Sequence, residues 1–110
     1  MGVTKSEIFT KEQNQISSIA KVFGHPARVA ILEHLFKIDS CICSDLVDEI
    51  GLAQPTISQH LKELKKIGLI KGNIEGTSVC YCIDKDNWSE MKTTLSAFLD
   101  KDLDDSNNCC

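Results

Sequence analysis

Residues 44–70, SDLVDEIGLAQPTISQHLKELKKIGLI, restrict the possible folds more than any other stretch, because they read as two short helices around a tight turn. Asp45 to Ile50 predicts the first helix, with Leu46 and Ile50 on one side. Gly51 supplies a C′ position without side-chain strain, and Leu52 and Ala53 complete the turn. Pro55 suits the start of the next helix, where its missing N–H would have had no partner. In that second helix Ile57, Leu61 and Leu64 fall on one stripe that Ile67 continues. Gln59, Lys62 and Lys66 then point the other way, flanked by Thr56 and Ser58. Small polar and amide side chains at a helix start suit base edges, and lysines after them suit phosphates. The spacing predicts a helix-turn-helix, which implies docking in the DNA major groove.

The segment after the second helix extends that expectation. Lys71 to Ile83, KGNIEGTSVCYCI, alternates like two strands, with Glu75-Gly76 where a hairpin would turn. A β-hairpin directly after a recognition helix is the wing of a winged helix. The expected fold is mainly α with a small β-hairpin, in the order α-α-α-α-β-β-α.

Three motifs carry a family resemblance: His25-Pro26-Ala27-Arg28 opening a helix, Gln54-Pro55-Thr56-Ile57-Ser58-Gln59-His60-Leu61, and Lys66-Ile67-Gly68-Leu69-Ile70. In these the chain resembles the ArsR/SmtB metal- and metalloid-responsive repressors, from roughly residue 15 to residue 95. The resemblance implies a homodimeric winged-helix repressor that leaves its operator when an inducer binds. The expected DNA-facing set is Gln54, Thr56, Ser58 and Gln59 on base edges, with Lys62, Lys66 and wing residues near Lys71 to Thr77 on phosphate. His60, about 60° from the buried stripe, is counted with that set although its position also suits helix packing.

At 110 residues there is room for one core, and no apolar run approaches the ~18 residues of a membrane span. The N-terminus has no signal-peptide core, so a cytoplasmic protein with no membrane partner is expected. Residues 1–103 form the expected DNA-binding and dimerisation domain, and 104–110 a flexible tail ending in Cys109-Cys110. The net charge of −4 opposes DNA binding, but charge is segregated. Residues 51–83 carry four basic and two acidic groups, whereas 84–110 carry three basic and seven acidic. Phosphate attraction follows the local patch, because screening limits its reach to about 10 Å at moderate salt.

Residues 6–23 predict one helix with Ile16, Ile19, Ala20 and Phe23 on its apolar stripe. A second helix from Pro26 to Lys37 carries a broad buried face of Val29, Ile31, Leu32, Leu35 and Phe36. Residues 38–43 predict an extended link or edge strand. A last helix from Asp84 to about Asp100 spaces Trp88, Met91, Leu95, Phe98 and Leu99 on a face too apolar for water. One small core cannot cover both terminal helices, so a homodimer is expected, its twofold axis matching half-sites about 34 Å apart.

Six cysteines in a reducing compartment point to ligation or reactivity before structural disulfides. Cys41 and Cys43 lie two apart in an extended link, close enough to grip one soft ion, near a helix start that favours thiolate. Cys80 and Cys82 repeat the spacing on the second wing strand, with Val79, Tyr81 and Ile83 expected inward and the cysteines outward. Thiolates select soft or borderline metals, and arsenite or antimonite share that preference while taking three sulfurs. The expected ligand set is Cys41 and Cys43 with Cys109 or Cys110. The inducer is expected to be arsenite or antimonite, with cadmium, lead or another soft divalent metal as alternatives and no constitutive cofactor. A thiol redox or persulfide switch on the same fold is a further alternative. In the family's arsenic and cadmium sensors a Cys-x-Cys directly precedes an Asp-Leu pair; here Ser44 intervenes before Asp45-Leu46. Residues 84–104 hold no histidine for the family's zinc and nickel site on the last helix. No Cys-x-x-Cys, catalytic triad or Gly-rich phosphate loop is present, so no enzyme is expected.

Overall fold

A computed structural model describes residues 5–38, 41–42, 46–74 and 79–103. Among these, six helices and a hairpin run in the order α1 (Lys5–Ile8), α2 (Lys11–Phe23), α3 (Pro26–Ile38), α4 (Val47–Ile50), α5 (Gln54–Lys66), β1 (Ile70–Asn73), β2 (Cys80–Ile83) and α6 (Lys85–Leu99). The expected turn at Glu75-Gly76, together with Cys43, Asp45, Cys109, Cys110 and the tail from 104, lies outside the described residues.

The single N-terminal helix expected over 6–23 is two helices, and the cause is a capping box at the break. Thr10 Oγ1 accepts from the Gln13 amide at 3.1 Å, and Gln13 Oε1 accepts from the Thr10 amide at 3.0 Å. Both groups are donors that a helix start leaves orphaned, so the pair fixes the start of α2 at Lys11. Its inward residues are Ile19 and Val22, not Ala20, which is exposed. In α3 the buried face is narrower than expected: Ile31, Leu32 and Leu35 are buried, while Val29 and Phe36 are exposed and Arg28 takes an interior place.

The core gathers Ile31, Leu32 and Leu35 from α3, Ile57, Leu61 and Leu64 from α5, and Leu46, Leu69, Ile70 and Tyr81 around them. The stripe on α5 is as the periodicity predicts, with Ile57 and Leu64 fully buried. Removing such a side chain to Ala typically costs about 2–5 kcal/mol, so this stripe fixes which face of α5 turns outward. Gly51 adopts φ +83°, the left-handed conformation expected after the first helix of the motif.

The end of α5 is a Schellman closure: the Gly68 amide donates to Lys65 O at 3.0 Å and the Leu69 amide to Leu64 O at 3.0 Å. Gly68, at φ +90°, makes the reversal possible. Asn87 Nδ2 then donates to Gly68 O at 3.0 Å, and the Asp84 amide to Leu69 O at 3.0 Å. Asp84 in turn caps α6, its Oδ1 accepting from the Asn87 amide at 3.1 Å. The last helix is therefore pinned to the junction of α5 and the wing.

β1 and β2 pair antiparallel with Ile70 opposite Ile83, Lys71 opposite Cys82, Gly72 opposite Tyr81 and Asn73 opposite Cys80. Ile42 adds an antiparallel bridge to Tyr81 on the far edge of β2. The link expected to be extended thus reaches the wing through that residue. Tyr81 is fully buried and Val79 and Ile83 half-buried, in keeping with the inward set.

Candidate nucleic-acid interface

Burial of Ile57, Leu61 and Leu64 leaves the opposite side of α5 to solvent. Gln54, Thr56, Gln59, Lys62, Lys65 and Lys66 are exposed there, and Ser58 is half-buried. Gln54 Nε2 donates to Ser58 Oγ at 3.2 Å, and Gln59 Nε2 donates to Glu63 Oε1 at 3.4 Å. These i, i+4 contacts order the long amide side chains along the helix before any partner arrives. The bond to Glu63 uses one N–H of the exposed Gln59 amide, which has a second N–H and a carbonyl oxygen besides.

Toward the wing, Lys62, Lys65 and Lys66 converge with Asn73 and Ile74 around a groove of about 310 Å³. Three lysines beside a strand end make a cationic notch suited to phosphate. Lys65 was not in the expected set, because it falls outside a strict reading of the outward stripe; Asn73 lies within the expected wing stretch. Lys71, the expected wing cation, is exposed but lies across from Cys82 on β1 and outside this groove.

His60 is turned away from that face. Its Nδ1 accepts from Nε of Arg28 at 3.1 Å, and its ring lies 5.6 Å from that of His25, tilted by 52°. Arg28 is only 8% exposed, and a guanidinium cannot shed its charge, so it needs an acceptor at this depth. A neutral imidazole supplies it. Burial, then the charges of Arg28 and His25, hold the His60 pKa below its ordinary value and keep the ring neutral. The His25-Pro26-Ala27-Arg28 motif is thus the seat on which the middle of α5 rests.

Cys41 is exposed and Cys82 half-buried, and both are free thiols. The bridge between Ile42 and Tyr81 sets them side by side, and they hydrogen-bond to each other. That bond, followed by burial, pushes the Cys82 pKa up, with Lys71 opposing. Cys82 does not simply face outward, as the alternation suggested; it meets Cys41. Matching of Cys41-x-Cys43 with Cys80-x-Cys82 was visible in the sequence, but the pairing of the two segments was not. Cys80 is engaged in a disulfide. Among the described residues no group of three or more His, Cys, Asp or Glu side chains forms a metal cluster. No helix among them is long and apolar enough to cross a membrane.

Known proteins agree with this geometry. Residues 25–71, which run from the Arg28 seat to the first wing strand, match the family described as bacterial regulatory protein, arsR family. An uncharacterized HTH-type transcriptional regulator of Methanocaldococcus jannaschii is 40% identical over 82 residues, covering 74% of this chain and 91% of that protein. The arsenical resistance operon repressor of Staphylococcus xylosus is 34% identical over 67 residues, which span 61% of this chain and 64% of the repressor. The crystal structure of an ArsR family transcriptional regulator superposes with a TM-score of 0.65 at 23% identity, covering 83% of this chain and 89% of that one, a likeness of fold. With its outward polar recognition helix, its lysine notch and its two-stranded wing, the chain belongs to the ArsR family of DNA-binding winged helix-turn-helix transcriptional regulators.

Proposed function

We propose that the protein is a homodimeric cytoplasmic repressor that releases its operator when a thiophilic ligand, arsenite or antimonite foremost, is captured around Cys41. The outward face of α5, fixed by burial of Ile57, Leu61 and Leu64, carries the DNA half of this reading. Gln54, Thr56, Ser58 and Gln59 read base edges, while Lys62, Lys66 and the wing beginning at Lys71 hold phosphates. The likeness to an arsenical resistance operon repressor supports the ligand half. Cys41 supplies one sulfur, and Cys43, Cys109 and Cys110 are the further candidates from the sequence. Capture beside the start of the helix-turn-helix tilts α5 out of its groove. The ligand has only to favour the released state by about 1–3 kcal/mol of coupling.

Ser58→Ala or Gln59→Ala is expected to weaken operator binding by about 1–3 kcal/mol while the dimer stays folded. Unchanged binding in both would reject the recognition face. For the ligand, fluorescence-anisotropy release of operator DNA by arsenite, antimonite, cadmium, lead and zinc, on the parent chain and on Cys41→Ser, discriminates among inducers. Equal release of both proteins by every ion would reject Cys41 as a ligand.

A second reading has an observation in its favour. The disulfide at Cys80 and the facing thiols of Cys41 and Cys82 suit a repressor that responds to thiol oxidation or persulfide. Release by polysulfide or peroxide, reversed by thiol reductant and insensitive to arsenite, would favour it over metalloid sensing.

A further inference from the structure

Ile42 and Tyr81 exchange both backbone hydrogen bonds, Ile42 N–H to Tyr81 O at 2.8 Å and Tyr81 N–H to Ile42 O at 2.9 Å. In an antiparallel pair the positions next to such a doubly bonded pair carry no ladder bonds, and their Cα atoms lie about 4.5 Å apart with side chains closest. Position 41 falls opposite position 82 in this register. On the other side of β2, Lys71 stands directly across from Cys82. One ammonium and two sulfurs therefore share a row on one face of three extended segments. That row opens on a cleft of about 690 Å³ whose apolar wall is Leu35, Phe36, Ile83 and Trp88. Phe36 and Trp88 meet edge to face at 4.9 Å, forming an aromatic corner beside the sulfurs.

Two facing sulfurs with an aromatic wall beside them suit a thiophilic centre that takes two thiolates and carries a carbon substituent. We propose that Cys41 and Cys82 form a two-sulfur site for a trivalent arsenical bearing one organic group, with arsenic bridging the sulfurs and the organic group lying against Phe36 and Trp88. The site deepens the thiophile-responsive reading above and rests on it only for the consequence at DNA. The reaction balances without redox change: two As–S bonds form, the As=O bond and two S–H bonds break, and the oxygen leaves with both protons as water. Arsenic stays trivalent. Inorganic arsenite would leave a hydroxyl against the apolar wall and would bind this pair less well.

The chain has one tryptophan, and it lines the cleft, so Trp88 emission reports occupancy directly. Reduced full-length protein titrated with phenylarsine oxide is expected to take up, by intact mass, one phenylarsenic group more than Cys41→Ser or Cys82→Ser does, with a change in Trp88 emission. Cys41→Ser and Cys82→Ser are each expected to weaken this binding by about 10²-fold or more, because either loss removes the chelate. Cys41 is exposed, so its serine variant keeps the test independent of any folding defect at Cys82. Wild-type affinity and Trp88 response in Cys82→Ser would overturn the site. So would arsenite binding as tightly as phenylarsine oxide with the same cysteine dependence, since the organic group would then contribute nothing. Operator release followed in the same titration separates the two readings. Binding at the pair without release leaves the site standing and rejects the inducer role; release by phenylarsine oxide undiminished in both serine variants rejects the site and leaves the inducer role standing.

Discussion

Arg28 Nε donates to His60 Nδ1 across 3.1 Å, joining the first turn of α3 to the middle of α5. The bond fixes the tautomer: Nδ1 accepts, so the ring proton sits on Nε2. It also makes the seat of the recognition helix sensitive to pH. A protonated ring would place an N–H against the guanidinium, with His25 adding a second ring 5.6 Å away.

Because the folded His60 pKa lies below the ordinary value of about 6.5, its contribution to stability is complete above that pH. It is lost as pH falls from there through the lowered folded value. Melting temperature is expected to drop on going from about pH 7.5 to about pH 5.5, and to drop less in His60→Gln, which keeps an acceptor but does not titrate. Equal pH slopes in the two proteins would show that His60 does not carry the effect.

The lysine notch and the amide face are expected to fail differently. Lys66→Ala should weaken binding to all DNA sequences alike and reduce the slope of log K against log salt by about 1. Gln59→Ala should relax preference at one base position, by about 1–3 kcal/mol, with the salt slope unchanged. Anisotropy titrations on specific and scrambled duplexes over a range of salt read both quantities. A salt slope unaltered in Lys66→Ala would place the phosphate elsewhere.

Gly72 sits in β1 at φ +114°, and a Cβ there would run into the carbonyl oxygen of Cys80 on the paired strand. Backbone conformation and space both exclude a side chain. Gly72→Ala is expected to cost about 1–3 kcal/mol in denaturant unfolding and to loosen the wing. The nearby Cys82–Cys41 pair depends on the same hairpin, so faster reaction of both thiols with a maleimide should accompany the loss. Unchanged stability would mean that the hairpin adjusts its register around the methyl group.

Residues 54–67 were legible in the sequence because one period governs them: apolar positions three and four apart leave one reading for the buried face. The wing was legible from alternation, and its pairing places Tyr81 inside as that alternation requires. Local capping was less visible. Thr10 and Gln13 split an N-terminal segment whose apolar spacing runs through the break. Arg28 escaped because a charged residue three places into a helix reads as surface until His60, from a distant helix, is known to face it. Cys82 escaped for a similar reason: period two gives the side of a strand but not which other segment lies beside it. Contacts across long sequence separations are what the pattern omits, and both the Arg28 seat and the thiol pair are of that kind.

Large apolar side chains beside α1 and at the end of α6 stay exposed. Phe9 is 52% exposed, Phe98 43% and Leu99 69%. Burying one such side chain is worth about 1.5–3 kcal/mol, so a surface shared by Phe9 and α6 of two chains would favour association. Leu99→Glu places a charge on that surface and leaves the Ile57, Leu61 and Leu64 stripe untouched. Sedimentation is expected to show a monomer with unaltered helical circular dichroism. Operator affinity should fall by about 10²–10⁴, the avidity lost when two half-sites are no longer read together. A dimer persisting in both Leu99→Glu and Phe98→Glu would place the twofold contact on another face. The α6 anchor at Asn87 and Gly68 would then have no part in spacing the two recognition helices.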